Sequence, residues 1–413
     1  MPHITTYSHT LQNGMRVIAC PIPDTALVTV HVQYNVGSFN EDPSRTGLAH
    51  LFEHLMFDNT STGVDKHYDA LCTRAGGTNN AYTTYDHTAY HITLPSHQME
   101  LGLWLEADRM QAFAITDQAL RVQQSVVVEE INQNVENQPY GQVWPTIDRM
   151  SFTPDSHYSW NVYGSAHHVE AVSMEDATTF FHRYYQPANA VLVVAGGCNP
   201  EEVFRLADLY FGLIPSATIP HHPQPVIGVQ SGQHEILRDR VPAEAAFITI
   251  PLPPQTDARI FDAEIVSRVI GGGTSSSLYQ HLVHTTRSAS YTGAFIDRRA
   301  HASLMIIYAY GLDHTITADR LVQEMQHAIL HTALTSQAIS KAVQQLRTAH
   351  AFELQRSSSI ANEVAYNAMY FQHPEQVNTV LEAYASRTEE DVHAMFARVC
   401  TTNTWNRLDV IPA

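Results

Sequence analysis

The chain has 413 residues, 44% of them hydrophobic and 15% charged, which is enough apolar material for packed cores and argues against disorder. Its 41 acidic against 23 basic side chains give a formal charge of −18, which repels phosphate backbones and argues against nucleic acid as a partner. This length predicts two cores, not one. From the N-terminus, the turn Asn13-Gly14 and the Val/Ile-rich stretch Met15 to Val36 read as a hairpin or as the opening strands of a sheet. A loop with Pro and Asp near Glu41 to Ser44 leads into a helix expected over Thr46 to Phe57. A second helix, Asp65 to Ala75, is expected to stop at Gly76-Gly77. Asn80 to Leu94 reads as two strands about a polar bend at Tyr85-Asp86-His87, because Tyr90, Ile92 and Leu94 alternate with His91 and Thr93.

Long helical patterns follow over Met99 to Met110 and Asp117 to Val135. The short apolar run Ala190 to Ala195, stopped by Gly196-Gly197, reads as a buried strand. Residues 214–232 carry Pro215, Pro220, Pro223 and Pro225 and suit a stiff exposed linker. Beyond them the order repeats: a strand over Ala245 to Ile250, a helix over Ile260 to Ile270, a Gly/Ser turn and a further helix. Strands over Ser290 to Phe295 and Ser303 to Tyr310 come next, then long helices from Ile316. The expected fold class is α+β, with two homologous α/β-sandwich halves related by internal duplication, each an antiparallel-rich sheet packed with helices. The expected domains are residues 1–213 and 233–413, joined by the linker.

Cys20, Cys72, Cys198 and Cys400 are too far apart for a disulfide framework and read as buried free thiols. The first residues show no basic segment followed by an apolar core. No apolar run approaches about 18 residues, so a cytoplasmic protein without membrane insertion is expected. Gly271 to Ser277 lacks the lysine of a phosphate loop and reads as a flexible turn.

The segment that carries chemistry is His50-Leu51-Phe52-Glu53-His54. On a helix, positions i, i+3 and i+4 share one face, so two imidazoles and one carboxylate converge there. Two histidines four apart can share one zinc ion, and the order is the inverse of His-Glu-x-x-His. A catalytic zinc needs a third protein ligand. Val126 to Glu130 offers two candidates, Glu129 and Glu130, which spacing alone does not separate.

Thr46 to Phe57, with Gly77 to Thr83, Val127 to Ile131 and Tyr185 to Ala190 in this order, resembles the pitrilysin/insulinase metallopeptidases, the inverzincins. The likeness is strongest to short bacterial members and to the zinc subunit of the mitochondrial processing peptidase. The resemblance implies one zinc per chain held by His50, His54 and Glu130, with Glu53 as the general base. It makes residues 1–213 the zinc-bearing catalytic domain and residues 233–413 a metal-free counterpart. It also implies a zinc-dependent endopeptidase for oligopeptides or unfolded segments, with Asn80 and Ala81 on an edge strand that pairs with the peptide. The alternative is a non-catalytic assembly subunit that retains the fold.

Three positions depart from the pattern. Gln123 stands where the family commonly has a glutamate supporting the site, and Val283 and Ser290 stand where it has a substrate-holding arginine and tyrosine. Arg287 and Tyr291 are nearby but out of register. The resemblance therefore implies a homodimer, or a heterodimer with a metal-free subunit that supplies the arginine and tyrosine.

Overall fold

The computed structural model describes residues 3–60, 62, 68–215 and 226–413. The centre of the expected linker, with Pro220, Pro223, Pro225 and the pair His221-His222, lies outside the described residues, as does the expected start of the second helix at residues 65–67.

Eleven described strands make two sheets. The first contains β1 (Tyr7–Thr10), β2 (Arg16–Pro21), β3 (Leu27–Tyr34), β4 (Thr78–Thr83), β5 (Thr88–Pro95) and β6 (Ala190–Gly196), in the order β1-β2-β6-β3-β5-β4. The second contains β7 (His234–Asp239), β8 (Ala245–Leu252), β9 (Ala289–Asp297), β10 (Ser303–Gly311) and β11 (Asn406–Pro412), in the order β7-β11-β8-β10-β9. Apart from β1 the two sheets repeat one pattern. A parallel pair (β2 with β6, β7 with β11) is followed by antiparallel neighbours to the far edge. This is the duplicated α+β architecture expected from the element order.

The opening strands form, but β2 and β3 do not pair with each other: β6 lies between them, and β2 makes its hairpin with β1 across the Asn13-Gly14 turn. The reason is compositional. All seven residues of β6 are buried, and such a run is stable only with strands on both edges and cover on both faces. The Gly/Ser turn is followed not by an ordinary helix but by a short π-helical segment, Tyr279–Thr285.

Six helices matter for the site and the cores: α1 (Leu48–Asp58), α2 (Met99–Gln111), α3 (Asp117–Ile131), α4 (Val143–Ser151), α5 (Arg259–Gly271) and α6 (Ser357–Tyr370). The chain divides into two compact units, and each takes a segment from the other half of the sequence. Unit 1 comprises Met1–Ile131, Val162–Gln224 and Ala351–Thr379. Unit 2 comprises Asn132–Asn161, Pro225–His350 and Val380–Ala413.

In unit 1, α6 covers one face of the first sheet, where Ile360, Ala361, Val364 and Ala365 pack with Ile18, Cys20, Val191 and Val193. Strand alternation also turns Thr29, His31 and Gln33 toward α6. Thr29 Oγ1 lies 2.8 Å from Ser357 Oγ, and Gln33 Nε2 lies 3.1 Å from Met369 Sδ. His31 is buried with neither ring nitrogen hydrogen-bonded and stacks on His91 across the β3–β5 pair. In unit 2, α4 packs on β7, β8 and β11. The core there joins Ile248, Ile250, Ile265, Val266, Met305 and Ile307.

All four cysteines are free: Cys20 and Cys72 are buried as expected, while Cys198 and Cys400 are half-buried. Among the described residues no helix is long and apolar enough to cross a membrane.

Candidate metal centre

The helix that carries the motif is fixed at both ends and in its middle. At its start Gly47 has φ +90°, a left-handed conformation, and a Cβ there would meet the Tyr163 carbonyl at 2.6 Å, so glycine alone fits. The Gly47 and Ala49 N–H groups, left over at the N-terminus of α1, donate to the buried carboxylate of Glu41 at 3.0 and 2.7 Å. The Thr46 hydroxyl lies 2.9 Å from His168 Nδ1, so His168 is a hydrogen-bonding partner of this loop. In mid-helix the Tyr90 hydroxyl donates to the Phe52 carbonyl at 3.0 Å. Beside Tyr90 the fully buried Arg109 stacks on the Tyr68 and Tyr90 rings, 4.6 Å from each, and pairs with Glu106 at 2.5 Å. Near the C-terminal end, the Gln123 amide of α3 donates to Asp58 Oδ2 at 2.6 Å. Gln123 thus ties α3 to α1 one turn beyond His54.

Leu51, Phe52, Leu55 and Met56 are buried on the core side of α1. On its other face His50 and His54 meet Glu130 of α3. Glu130 Oε2 lies 3.7 Å from His50 Nε2 and 3.3 Å from His54 Nε2. Ligands of a tetrahedral zinc, each about 2.0–2.1 Å from the ion, lie about 3.4 Å from one another, so this donor set fits the ion in spacing and chemistry. Among the described residues it is the one group of three or more His, Cys, Asp or Glu side chains close enough to share a metal. Glu129, the other candidate left open by spacing, is exposed.

The electrostatics suit a cation. Burial pushes the His50 imidazole down to about 4, so it is neutral and able to ligate near pH 7. Its Nδ1 is buried without a hydrogen bond, and its ring stands edge-on to Tyr163 at 5.1 Å. The hydrogen bond with His54, the largest influence, and the electrostatic pull of the nearby imidazoles hold the Glu130 carboxyl below the usual range. Burial raises the Glu53 carboxyl, opposed by a 2.7 Å hydrogen bond from the Thr83 hydroxyl.

Asn80 and Ala81 lie on β4, which pairs only with β5 and so presents an open edge among the described residues. The Ala81 N–H is held meanwhile by the Asn80 side chain at 2.9 Å. The remaining predicted positions are in unit 2. Val283 is half-buried in the π-helical segment, and the Ser290 hydroxyl donates to the Gly311 carbonyl at 3.1 Å. Arg287 sits at a left-handed turn, φ +50°, and Tyr291 is exposed with its ring 5.6 Å from that of Tyr308. Glu41, Thr83 and Tyr90 escaped sequence reasoning because their partners follow no periodic spacing. Thr83 did fall within the stretch Gly77 to Thr83, the one signal that could have pointed to it.

Residues 16–145 match the family described as Insulinase (Peptidase family M16), and residues 171–346 match the one described as Peptidase M16 inactive domain. Among relatives, the zinc protease PqqE of Helicobacter pylori is 29% identical over 77% of this chain and 72% of its own length. The uncharacterized zinc protease SCO5738 of Streptomyces coelicolor is 25% identical over 94% of this chain and 85% of its own. A protease from Helicobacter pylori has the same fold, with a TM-score of 0.91 at 24% identity over 99% of this chain and 100% of that one. So does a putative M16-like peptidase from Alicyclobacillus acidocaldarius, with a TM-score of 0.85 at 18% identity over 100% and 99%.

Proposed function

Because the chain belongs to the insulinase-type peptidase family M16, we propose that it is a zinc-dependent endopeptidase hydrolysing oligopeptides or unfolded polypeptide segments. The observation that carries this reading is the convergence of His50, His54 and Glu130, with Glu53 on the same helix and not needed as a ligand. Zinc bound by those three side chains would supply an acidified water and a Lewis acid for the scissile carbonyl.

The protein's own groups do the rest. His50 and His54 bring neutral nitrogens, and Glu130 brings the charge that offsets the cation. Glu53 accepts the proton of the attacking water and passes it to the leaving amine, a role helped by burial, which raises its carboxyl above the ordinary value. The open edge of β4 at Asn80 and Ala81 suits a peptide added as an extra strand. Backbone pairing selects extended chains over particular side chains.

With Val283 and Ser290 where the family resemblance implies a substrate-holding arginine and tyrosine, we further propose that these two groups come from a partner subunit, in a homodimer or a heterodimer with a metal-free chain. Co-expression with candidate partners and measurement of the assembly's mass test this. A monomeric chain with full activity would remove the need for a partner.

The central experiment is cleavage of a quenched mixed-peptide library by the zinc-loaded chain, with Glu53→Gln beside it. The variant is expected to lose on the order of a hundred- to ten-thousandfold in kcat. Zinc-loaded chain that never cleaves, alone or with partners, would instead favour a non-catalytic assembly subunit.

A further inference from the structure

We propose that Thr83 is a positioning residue for Glu53, through which the edge strand β4 sets where the carboxylate points. The inference rests on the peptidase reading above and adds to it a residue outside the zinc motif.

Thr83 is the last residue of β4, paired with Thr88 of β5. Alternation along the strand puts Asn79, Ala81 and Thr83 on one face and Asn80 and Tyr82 on the other. The Tyr82 hydroxyl bonds Asn362 of α6, so the opposite face, with Thr83, is turned to α1. There Thr83 Oγ1 lies 2.7 Å from Glu53 Oε2. An ionised carboxylate can only accept, so the hydroxyl is the donor. The neighbouring Thr88 hydroxyl cannot compete for the carboxylate, since it donates to the Val36 carbonyl at 2.9 Å.

The consequence is geometric. His50 and His54 meet at Glu130, but Glu53 is a flexible side chain whose carboxylate turns about its terminal bonds unless something outside α1 holds it. A hydroxyl on a paired strand does this, and the Thr83 backbone N–H donates to the same carboxylate, so Thr83 holds it from both its side chain and its main chain. The same strand offers its open edge to the peptide, two residues away at Ala81. One rigid element thus sets both the peptide's register and the base's orientation, the arrangement on which proximity effects depend.

The test compares Thr83→Val, which keeps the shape and loses the hydroxyl, with Thr83→Ser, which keeps the hydroxyl. Both are made in the full chain, loaded with zinc and assayed on an oligopeptide that the wild type cleaves. Thr83→Val is expected to lose about ten- to a hundredfold in kcat, with KM, bound zinc and thermal midpoint unchanged. Thr83→Ser is expected to stay within about threefold of the wild type. Should valine disturb the strand, Thr83→Ala removes the hydroxyl without adding bulk and must show the same kcat loss. An active wild type with an equally active Thr83→Val overturns the positioning role alone, as does a serine variant as impaired as the valine one. A wild type that cleaves nothing overturns the peptidase reading, and this proposal with it.

Discussion

Glu41 shows how far the helix carrying His50 and His54 depends on residues outside the candidate metal site. Its carboxylate satisfies two N–H groups at the start of α1, where the helix dipole also favours negative charge. Glu41→Ala should therefore lower stability by about 1–2 kcal/mol in denaturant unfolding, and an unchanged midpoint would show that the cap contributes nothing. At this scale, what could be read from sequence divides by distance along the chain. His50, Glu53 and His54 were legible because the helical repeat alone brings them together. Glu130 needed the family resemblance, since it sits on a different helix and Glu129 fits the spacing equally well. Glu41, Thr83 and Tyr90 were not legible: each reaches α1 from a loop or strand whose placement only the folded chain determines.

Among the elements, two buried histidines lie near α6, His31 on β3 and His87 in the turn that precedes β5. Burial pushes His31 down to about 3 and His87 to about 4. Both titrate near 6.5 when unfolded, so below that pH the unfolded chain binds more protons than the folded one. Their contribution is complete above about pH 6.5 and is lost as pH falls toward 4. Denaturant unfolding between pH 7 and 5 should show a loss of about 1–2 kcal/mol per histidine, reduced in His31→Leu. A profile flat over that range would contradict the burial of these rings. In unit 2, α4 is tied to the β9–β10 turn by Asp148 and Arg299, a pair with side chains each 1% exposed, 2.6 Å apart. Arg299→Met leaves the Asp148 carboxylate buried without its cation and should cost about 3–5 kcal/mol, read from the same unfolding measurement. The strands and helices themselves were legible from periodicity, but their neighbours were not. Nothing local to Met15 to Val36 announces that β6, about 160 residues later, will part β2 from β3.

For the molecule as a whole, the sequence cut at residues 213 and 233 separates the two sheets, yet each compact unit borrows a segment from the other half. Residues 1–213 expressed alone lack α6, and the apolar face of Ile18, Cys20, Val191 and Val193 loses its cover. That fragment should bind ANS and be digested rapidly by protease, and co-expression with residues 214–413 should restore resistance. A stable isolated fragment would contradict the exchange. We propose that the chain holds one zinc ion through His50, His54 and Glu130. The most direct test is the metal content of purified wild type measured beside Glu130→Gln and Glu129→Gln by plasma mass spectrometry. About one zinc per chain is expected in the wild type and in Glu129→Gln, and little in Glu130→Gln. A wild type without bound zinc, or a Glu130→Gln variant that binds as well as the wild type, would contradict the proposal.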